Sequence, residues 1–366
     1  MKQNWTYKKL GEVVRIFDNL RKPVTKKDRK KGNYPYYGAT GIQDYVDSYL
    51  FDGRYLLIGE DGAKWSAKEQ SAFIIDGKSW VNNHAHVLKC DNELLDFFLV
   101  YYLNNKDLNE YISGAVVRKL TKANLIKIPI PVPPLEEQRM IVEELDLLQS
   151  IIDKKKRQLE ELDTLQQSIF YDMFGDPITN EKNWQIKKLG EVCEYAKTRI
   201  KNEDVTVDNY VGVENMLQNR KGVIEANKVP EQGSMTSYEP GDILIGNIRP
   251  YLKKIWKADK QGGCNGDVLV LRLKNSFKSV YNTTFLLKKL SSDEFFEFDM
   301  HFSKGEKMPR GDKKMIMQFP IPLPPLALQK EFAEKVEAIE CQKEMIKKSI
   351  ADSEQLFAYT MDKYFG

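Results

Sequence analysis

The sequence predicts an α+β fold built as a tandem repeat. Two mostly-β globules each lead into a long helix, and the two helices pair antiparallel as an intramolecular coiled coil. Three observations predict it. The segment from Ile128 to Gly175 (IPIPVPPLEEQ… to FG) returns as Phe319 to Gly366 at a constant offset of 191, with Pro129 on Pro320, Gln138 on Gln329 and Phe174 on Phe365. The motif Trp5…Lys8-Lys-Leu-Gly-Glu-Val13 returns as Trp184…Lys187-Lys-Leu-Gly-Glu-Val192 at an offset of 179. Each copy of the long segment also carries about forty residues without Pro or Gly and a seam of apolar residues at steps of three and four.

Taken in order, the first globule reads as short strands and turns. Asn33 to Gly41 is an aromatic, turn-rich loop, Tyr45 to Phe51 alternates like a strand, and Asp52-Gly53 turns the chain into a buried strand, Tyr55 to Ile58. Phe73 to Ile75 and His86 to Leu88 are further strands, and Leu94 to Leu103 reads as a buried helix. The lead holding Pro129, Pro131, Pro133 and Pro134 excludes helix, because each proline removes a donor and restricts the residue before it. Leu135 then starts the rod, which Gly175 and Pro177 stop. Its seam is Leu145, Leu148, Ile152, Lys155, Leu159, Leu162, Gln166, Ile169 and Met173. The second seam is Val336, Ile339, Lys343, Ile346, Ile350, Ser353, Phe357, Thr360 and Tyr364. Lys155 and Lys343 interrupt the two seams, a device that fixes register. The second globule parallels the first through Gly241 to Gly246, Asp267 to Leu271 and a helix from Thr284. The expected boundaries are 1–127 for the first globule, 128–175 for lead and helix, 176–318 for the second globule and 319–366 for the second lead and helix. Antiparallel pairing is expected to set the globules at opposite ends of the helix pair.

Net charge is +3, so composition alone names no partner, but the charge is unevenly placed. Residues 1–31 hold eleven Lys and Arg, from Lys2 to Lys31, against three acids. Further clusters lie at 249–260 and 304–314, and all are mixed with Tyr, Trp, Asn and Gly. That mixture suits phosphate contacts beside groups able to read base edges. The four cysteines are isolated, which fits a reduced cytoplasm and neither a disulfide framework nor a zinc site. No apolar run approaches the ~20 residues of a membrane span.

Catalytic motifs are expected to be absent. Ala72 to Ser79 (AFIIDGKS) loosely fits a phosphate loop, yet its interior is Phe-Ile-Ile and no clear helix follows. His84 and His86 make only two metal ligands, short of the three or four a site needs, so no metal is expected.

With the repeats in place, the chain resembles the DNA-specificity subunits of type I restriction–modification systems. The resemblance rests on both copies of the Pro-rich lead and helix. It is supported by Tyr36 to Ile42, Gly59-Glu-Asp-Gly62, Trp80 to His86 and Gly241 to Gly246, and it covers essentially the whole chain. It implies that each globule is a target recognition domain for half of a split duplex site and that the chain is not itself an enzyme. It also implies two modification (adenine methyltransferase) subunits and restriction (ATP-dependent nuclease) subunits as partners. S-adenosylmethionine, Mg and ATP would then be bound by those partners and no cofactor by this chain. Replacement of Glu136-Glu137 by Ala327-Leu328 in the second helix is a departure that implies partner contacts of different strength. Two other readings are a recognition chain detached from a fused restriction–methylation enzyme, and a coiled-coil adaptor with no DNA role.

Chemistry then selects residues. Lys26, Lys27, Arg29, Lys30, Lys253 and Lys254 are expected phosphate anchors, and Lys22, Lys304 and Lys307 are further DNA-binding candidates. Arg118, Asn247, Arg249 and Arg310 are expected base-edge readers, with Tyr251 beside them. Tyr37, Gly38, Thr40, Lys64, Trp65, Asn82 and Asn83 are candidates for the first half-site. Glu136, Glu137, Lys154 and Arg157 are expected to face other subunits.

Overall fold

The computed structural model describes residues 5–176, 179–230 and 233–366. Lys2 of the basic cluster and the expected helix stop at Pro177 lie outside the described residues. The chain forms two compact units, Met1–Gln158 with Ile346–Gly366, and Leu159–Met345. Among the described residues no helix is long and apolar enough to cross a membrane.

The first unit opens with β1 (Thr6–Lys9), the one-turn helix α1 (Leu10–Val13) and β2 (Val14–Ile16). Strands β3 (Lys31–Gly38), β4 (Gly41–Val46), β5 (Tyr55–Gly59), β6 (Ala72–Ile75), β7 (Trp80–Val81) and β8 (Ala85–Cys90) follow. Helices α2 (Asp96–Asn105) and α3 (Lys122–Leu125) then lead to β9 (Pro129–Val132) and the forty-residue helix α4 (Leu135–Phe174). A sheet in the order β2-β8-β5-β6 is antiparallel throughout. Its central strand β5 is apolar on both faces because both are covered. Leu56 and Ile58 pack with Phe98 and Leu99 of α2, while Leu57 packs with Phe51, Val81 and Val87 on the other side.

Two readings of this globule are corrected. Asn33 to Gly41 is mostly strand, β3, paired with β4 and β7, where backbone pairing overrides the local turn signals. The strand expected over Tyr45 to Phe51 instead ends at Val46, and Phe51 meets the chain again only as a bridge to Ser79.

In the second unit come β10 (Gln185–Lys188), α5 (Leu189–Val192), β11 (Cys193–Tyr195), β12 (Arg199–Lys201), β13 (Tyr210–Val211) and β14 (Ser234–Tyr238). They are followed by β15 (Ile243–Gly246), β16 (Ile255–Lys257), β17 (Gly262–Cys264) and β18 (Val268–Leu273). The unit closes with α6 (Thr283–Leu290), α7 (Asp293–His301), α8 (Lys313–Ile316), β19 (Pro320–Leu323) and α9 (Leu326–Phe365). The sheet β11-β18-β15-β16 repeats the first unit's order. Ile243 and Ile245 again face one core and Leu244 the other.

The two repeated motifs meet in space. β1 pairs antiparallel with β9, and β10 with β19, in matching register: Lys8 faces Ile130 and Lys187 faces Ile321. The Lys-Lys-Leu-Gly-Glu-Val repeat is explained locally. Glu12 and Glu191 each accept the backbone N–H three residues before, from Lys9 and Lys188, at 2.9 Å. Leu10 and Leu189 are fully buried, and a Cβ at Gly11 or Gly190 would come within 2.9 Å of Ile126 or 3.0 Å of Met317.

The helices pair antiparallel in each unit. In the first, Glu144 accepts from Tyr364 at 2.5 Å, and Lys155 Nζ donates to Ser349 and Ser353 Oγ at 2.7 and 2.8 Å. In the second, Lys343 pairs with Asp163 at 2.8 Å, and Phe170 and Phe174 pack on Phe332. All eighteen seam residues are buried or half-buried. The lysines that break the seams are therefore satisfied by hydroxyls and carboxylates of the facing helix.

Candidate nucleic-acid interface

In the first globule, candidate residues gather where β3, β5 and β7 end. Asn82 N donates to Tyr37 O at 3.0 Å, Glu60 N to His84 O at 2.8 Å, and Leu120 N to Glu60 O at 2.7 Å. Segment 17–30 closes over this end through Lys22 N to Val81 O (3.2 Å) and Trp80 Nε1 to Lys22 O (2.6 Å).

Beneath these loops lies a buried ionic network that sequence reasoning missed. His86 Nδ1 meets Asp18 Oδ2 at 2.6 Å, and Nε2 donates to Leu120 O at 2.7 Å. Arg21 pairs with Asp18 and Glu60 and donates to Ala85 O at 2.8 Å, while Lys119 reaches Glu60 at 2.7 Å. Burial is the largest single effect and pushes both carboxyls up, but His86, the Val87 N–H and Arg21 together outweigh it at Asp18, and Lys119, Arg21 and His86 together outweigh it at Glu60, so both titrate below the usual range. Both ring nitrogens of His86 face oxygens, the Asp18 carboxylate and the Leu120 carbonyl. Ligand atoms of Asp18, Glu60 and His86 lie within 4.8 Å of one another, a spacing that could hold a metal ion. In this structure Arg21 and Lys119 supply the positive charge there. His84 points elsewhere, to Asp61. The only sequence signal for the network was the Gly-Glu-Asp-Gly and His-Ala-His pattern.

In the second globule, β15 runs into Asn247 and Arg249, the latter left-handed at φ 53, as is Lys253 at φ 51. Arg249 N donates to Pro309 O at 2.7 Å, and Gly311 N to Asn247 O at 3.1 Å. These bonds bring the 249–254 and 304–310 basic clusters together. Asp299 is 1% exposed, and neither its oxygens nor Asn247 Oδ1 has a hydrogen-bond partner among the described residues. Burial pushes the Asp299 carboxyl up to about 7, so it is about half protonated near neutral pH. A Cβ at Gly311 would lie 2.3 Å from Asp299 Oδ1 and 3.0 Å from Asn247 Oδ1, which explains the glycine.

Exposure sorts the sequence candidates. Lys22, Lys26, Lys27, Lys30, Arg249 and Lys307 are exposed and hold no side-chain ion pair among the described residues. Thr40, Asn83 and Tyr251 are exposed, and Tyr37 is half-buried. Lys64, Arg118, Lys304 and Arg310 are exposed but already contact Glu69, Asn109, Asp312 and Asp267. Four candidates are corrected because they are buried. Trp65 donates to Gly59 O at 3.2 Å, Asn82 holds the His84 N–H at 2.8 Å, Asn247 is 5% exposed, and Gly38 is covered by Gln43. Arg29, Lys253 and Lys254 are half-buried and committed to Asp44, Asp293 and the Val213 carbonyl, so they brace loops. On α4, Glu136, Lys154 and Arg157 are exposed and Glu137 is half-buried; Glu136 pairs with Arg139. The Ala72–Ser79 segment is strand β6 followed by a turn into β7, with no helix to bind phosphate.

The family model described as "Type I restriction modification DNA specificity domain" matches residues 2–164 and 181–353, one match per repeat. The chain belongs to this family. Among specificity-subunit relatives, a putative type I restriction enzyme specificity subunit of Haemophilus influenzae is 46% identical over 145 residues, 40% of this chain and 37% of that protein. The EcoDI specificity subunit of Escherichia coli is 21% identical across 95% of this chain and 84% of its own length. The fold is that of the S subunit from M. genitalium, with a TM-score of 0.62 over 99% of this chain and 96% of that one at 15% identity. A second type I restriction–modification structure, concerned with complex assembly and conformational transition, covers 99% and 98% with a TM-score of 0.53 at 18% identity.

Proposed function

We propose that this chain is the non-catalytic DNA-recognition subunit of a type I restriction–modification complex, each globule reading one half of a split duplex site. What carries the reading is the recurrence, in both globules, of exposed cations without ion pairs among the described residues, on segments fixed at strand ends, at β7 in the first globule and at β15 in the second. Cations on loops track phosphates, while the polar and apolar residues between them reach base edges. Non-identical globules make the two half-sites different. Adenine methylation and cleavage belong to modification and restriction subunits, which bind S-adenosylmethionine, Mg and ATP; this chain binds none of them. Exposed positions on α4, including Glu136, Lys154 and Arg157, serve as partner contacts.

The test is to express the chain with its methyltransferase subunits and map methylated adenines in the host genome. A two-part, non-palindromic motif is the expected result. Absence of any motif, together with no retention of duplex DNA by the purified complex, would leave only a coiled-coil adaptor.

A further inference from the structure

The two units carry the same small loop, and each exposes apolar side chains at its tip, two valines in the first and one methionine in the second. In the first, Ser113 and Lys119 exchange backbone hydrogen bonds of 2.9 and 2.8 Å; in the second, Lys304 and Arg310 exchange two of 2.9 Å. Gly114 at φ 98 and Gly305 at φ 100 turn the chain at the same point of each. A side chain at Gly114 would strike the Val117 carbonyl at 2.1 Å, so glycine is required there. The closing residue of each loop also bridges to the segment beyond the central strand, Lys119 to Asp61 and Arg310 to Ile248. The loops are thus braced at the strand ends that hold the candidate interface.

The rigid base presents its apolar tip to solvent. Val116 is 96% exposed and Val117 63%, and Met308 in the second loop is 47% exposed. Tip sequences differ (Ala-Val-Val-Arg against Glu-Lys-Met-Pro) while the backbone device is kept. Residues 113–119 contain Arg118 and Lys119 and no acid; residues 304–310 contain Lys304, Lys307 and Arg310 against Glu306 alone. Exposed apolar side chains beside cations, next to a strand end, match a duplex groove: phosphates at its edges and an apolar feature, the thymine methyl, on the floor.

We propose that these loops are twin specificity probes. Val116 and Val117 would contact base edges of one half-site and Met308 those of the other, with the exposed Arg118 and Lys307 on the adjacent phosphates. This rests on the DNA-recognition reading above. The experiment expresses the full chain with its methyltransferase subunits and maps methylated adenines for wild type, the double variant V116S/V117S, and M308S. All are surface changes, and unaltered melting temperatures check the fold. Degeneracy at one or more positions of one half-site for the valine variant, and of the other half-site for M308S, is the supporting result. Unchanged motifs at wild-type methylation levels would overturn the proposal. So would loss of methylation accompanied by failure of the complex to assemble on gel filtration, which would place the tips on a protein partner. A wild type that methylates without sequence preference removes the recognition reading, and this proposal with it.

Discussion

The side chain of Gln138 donates from Nε2 to the carbonyl of Pro133 at 2.8 Å, and Gln329 does the same to Pro324 at 2.8 Å. Each amide is fully buried and completes a joint between lead, helix and globule. Gln138 also donates to Glu93 O at 2.8 Å and accepts from Leu95 N at 2.9 Å, while Gln329 bonds Val280 O at 3.0 Å and Asn282 N at 2.8 Å. Replacing Gln138 by Leu strands three backbone groups in the interior, where each costs about 1–3 kcal/mol. Chemical denaturation of Q138L is expected to show a loss of at least about 3 kcal/mol. A loss under about 1 kcal/mol would mean that solvent reaches the joint.

The network around His86 makes the first globule acid-sensitive. Asp18 and Glu60 sit below their ordinary values of 3.8 and 4.5 in the folded state. Their contribution is therefore present above those values and lost as pH falls through the folded ones. Melting temperatures measured from pH 7 down to pH 3 should fall steeply at the acid end. Asp18→Asn, which leaves Arg21 and His86 short of a carboxylate, should cost about 3–5 kcal/mol at pH 7 and flatten that acid limb. An unchanged acid limb in D18N would show that the network does not set it.

Asp299 has the opposite sign. Its carboxyl is raised from 3.8 to about 7, so the unfolded chain releases the proton first and stability declines as pH rises between those values. Asp299→Asn removes the titration. Wild type should lose melting temperature relative to D299N between pH 4 and pH 7, with the gap widest above pH 7. A gap independent of pH would mean that Asp299 finds a donor in solution.

Exposed cations and paired cations should separate in salt titrations of DNA binding by the assembled complex. Lys26→Ala with Lys27→Ala should reduce the slope of log K against log salt by about 2, close to 0.9 per lost phosphate contact. Lys254→Ala removes a bond to the Val213 carbonyl and should lower stability while leaving the slope nearly unchanged. Equal slopes for both variants would remove the distinction drawn from exposure.

The sequence by itself determined the elements whose signal is local or repeated. Helix α4 runs from Leu135 to Phe174 because an unbroken stretch follows a proline lead, and all eighteen seam positions turn inward because heptad spacing leaves them no other covered face. The offset of 191 also put a Pro-rich lead before each helix, and these leads are strands β9 and β19; their pairing with β1 and β10 came only from the tertiary structure. Tertiary structure alone decided which polar residues are available. Asn82, Trp65 and Asn247 have the chemistry of base readers, yet each is buried under segments far away in sequence. Asp18, Glu60 and His86 meet only because β5, β8 and the 17–21 segment converge, which no local pattern encodes. Periodicity records which face of an element is covered. It does not record which distant loop covers a strand end, and that sets which side chains remain free to touch DNA.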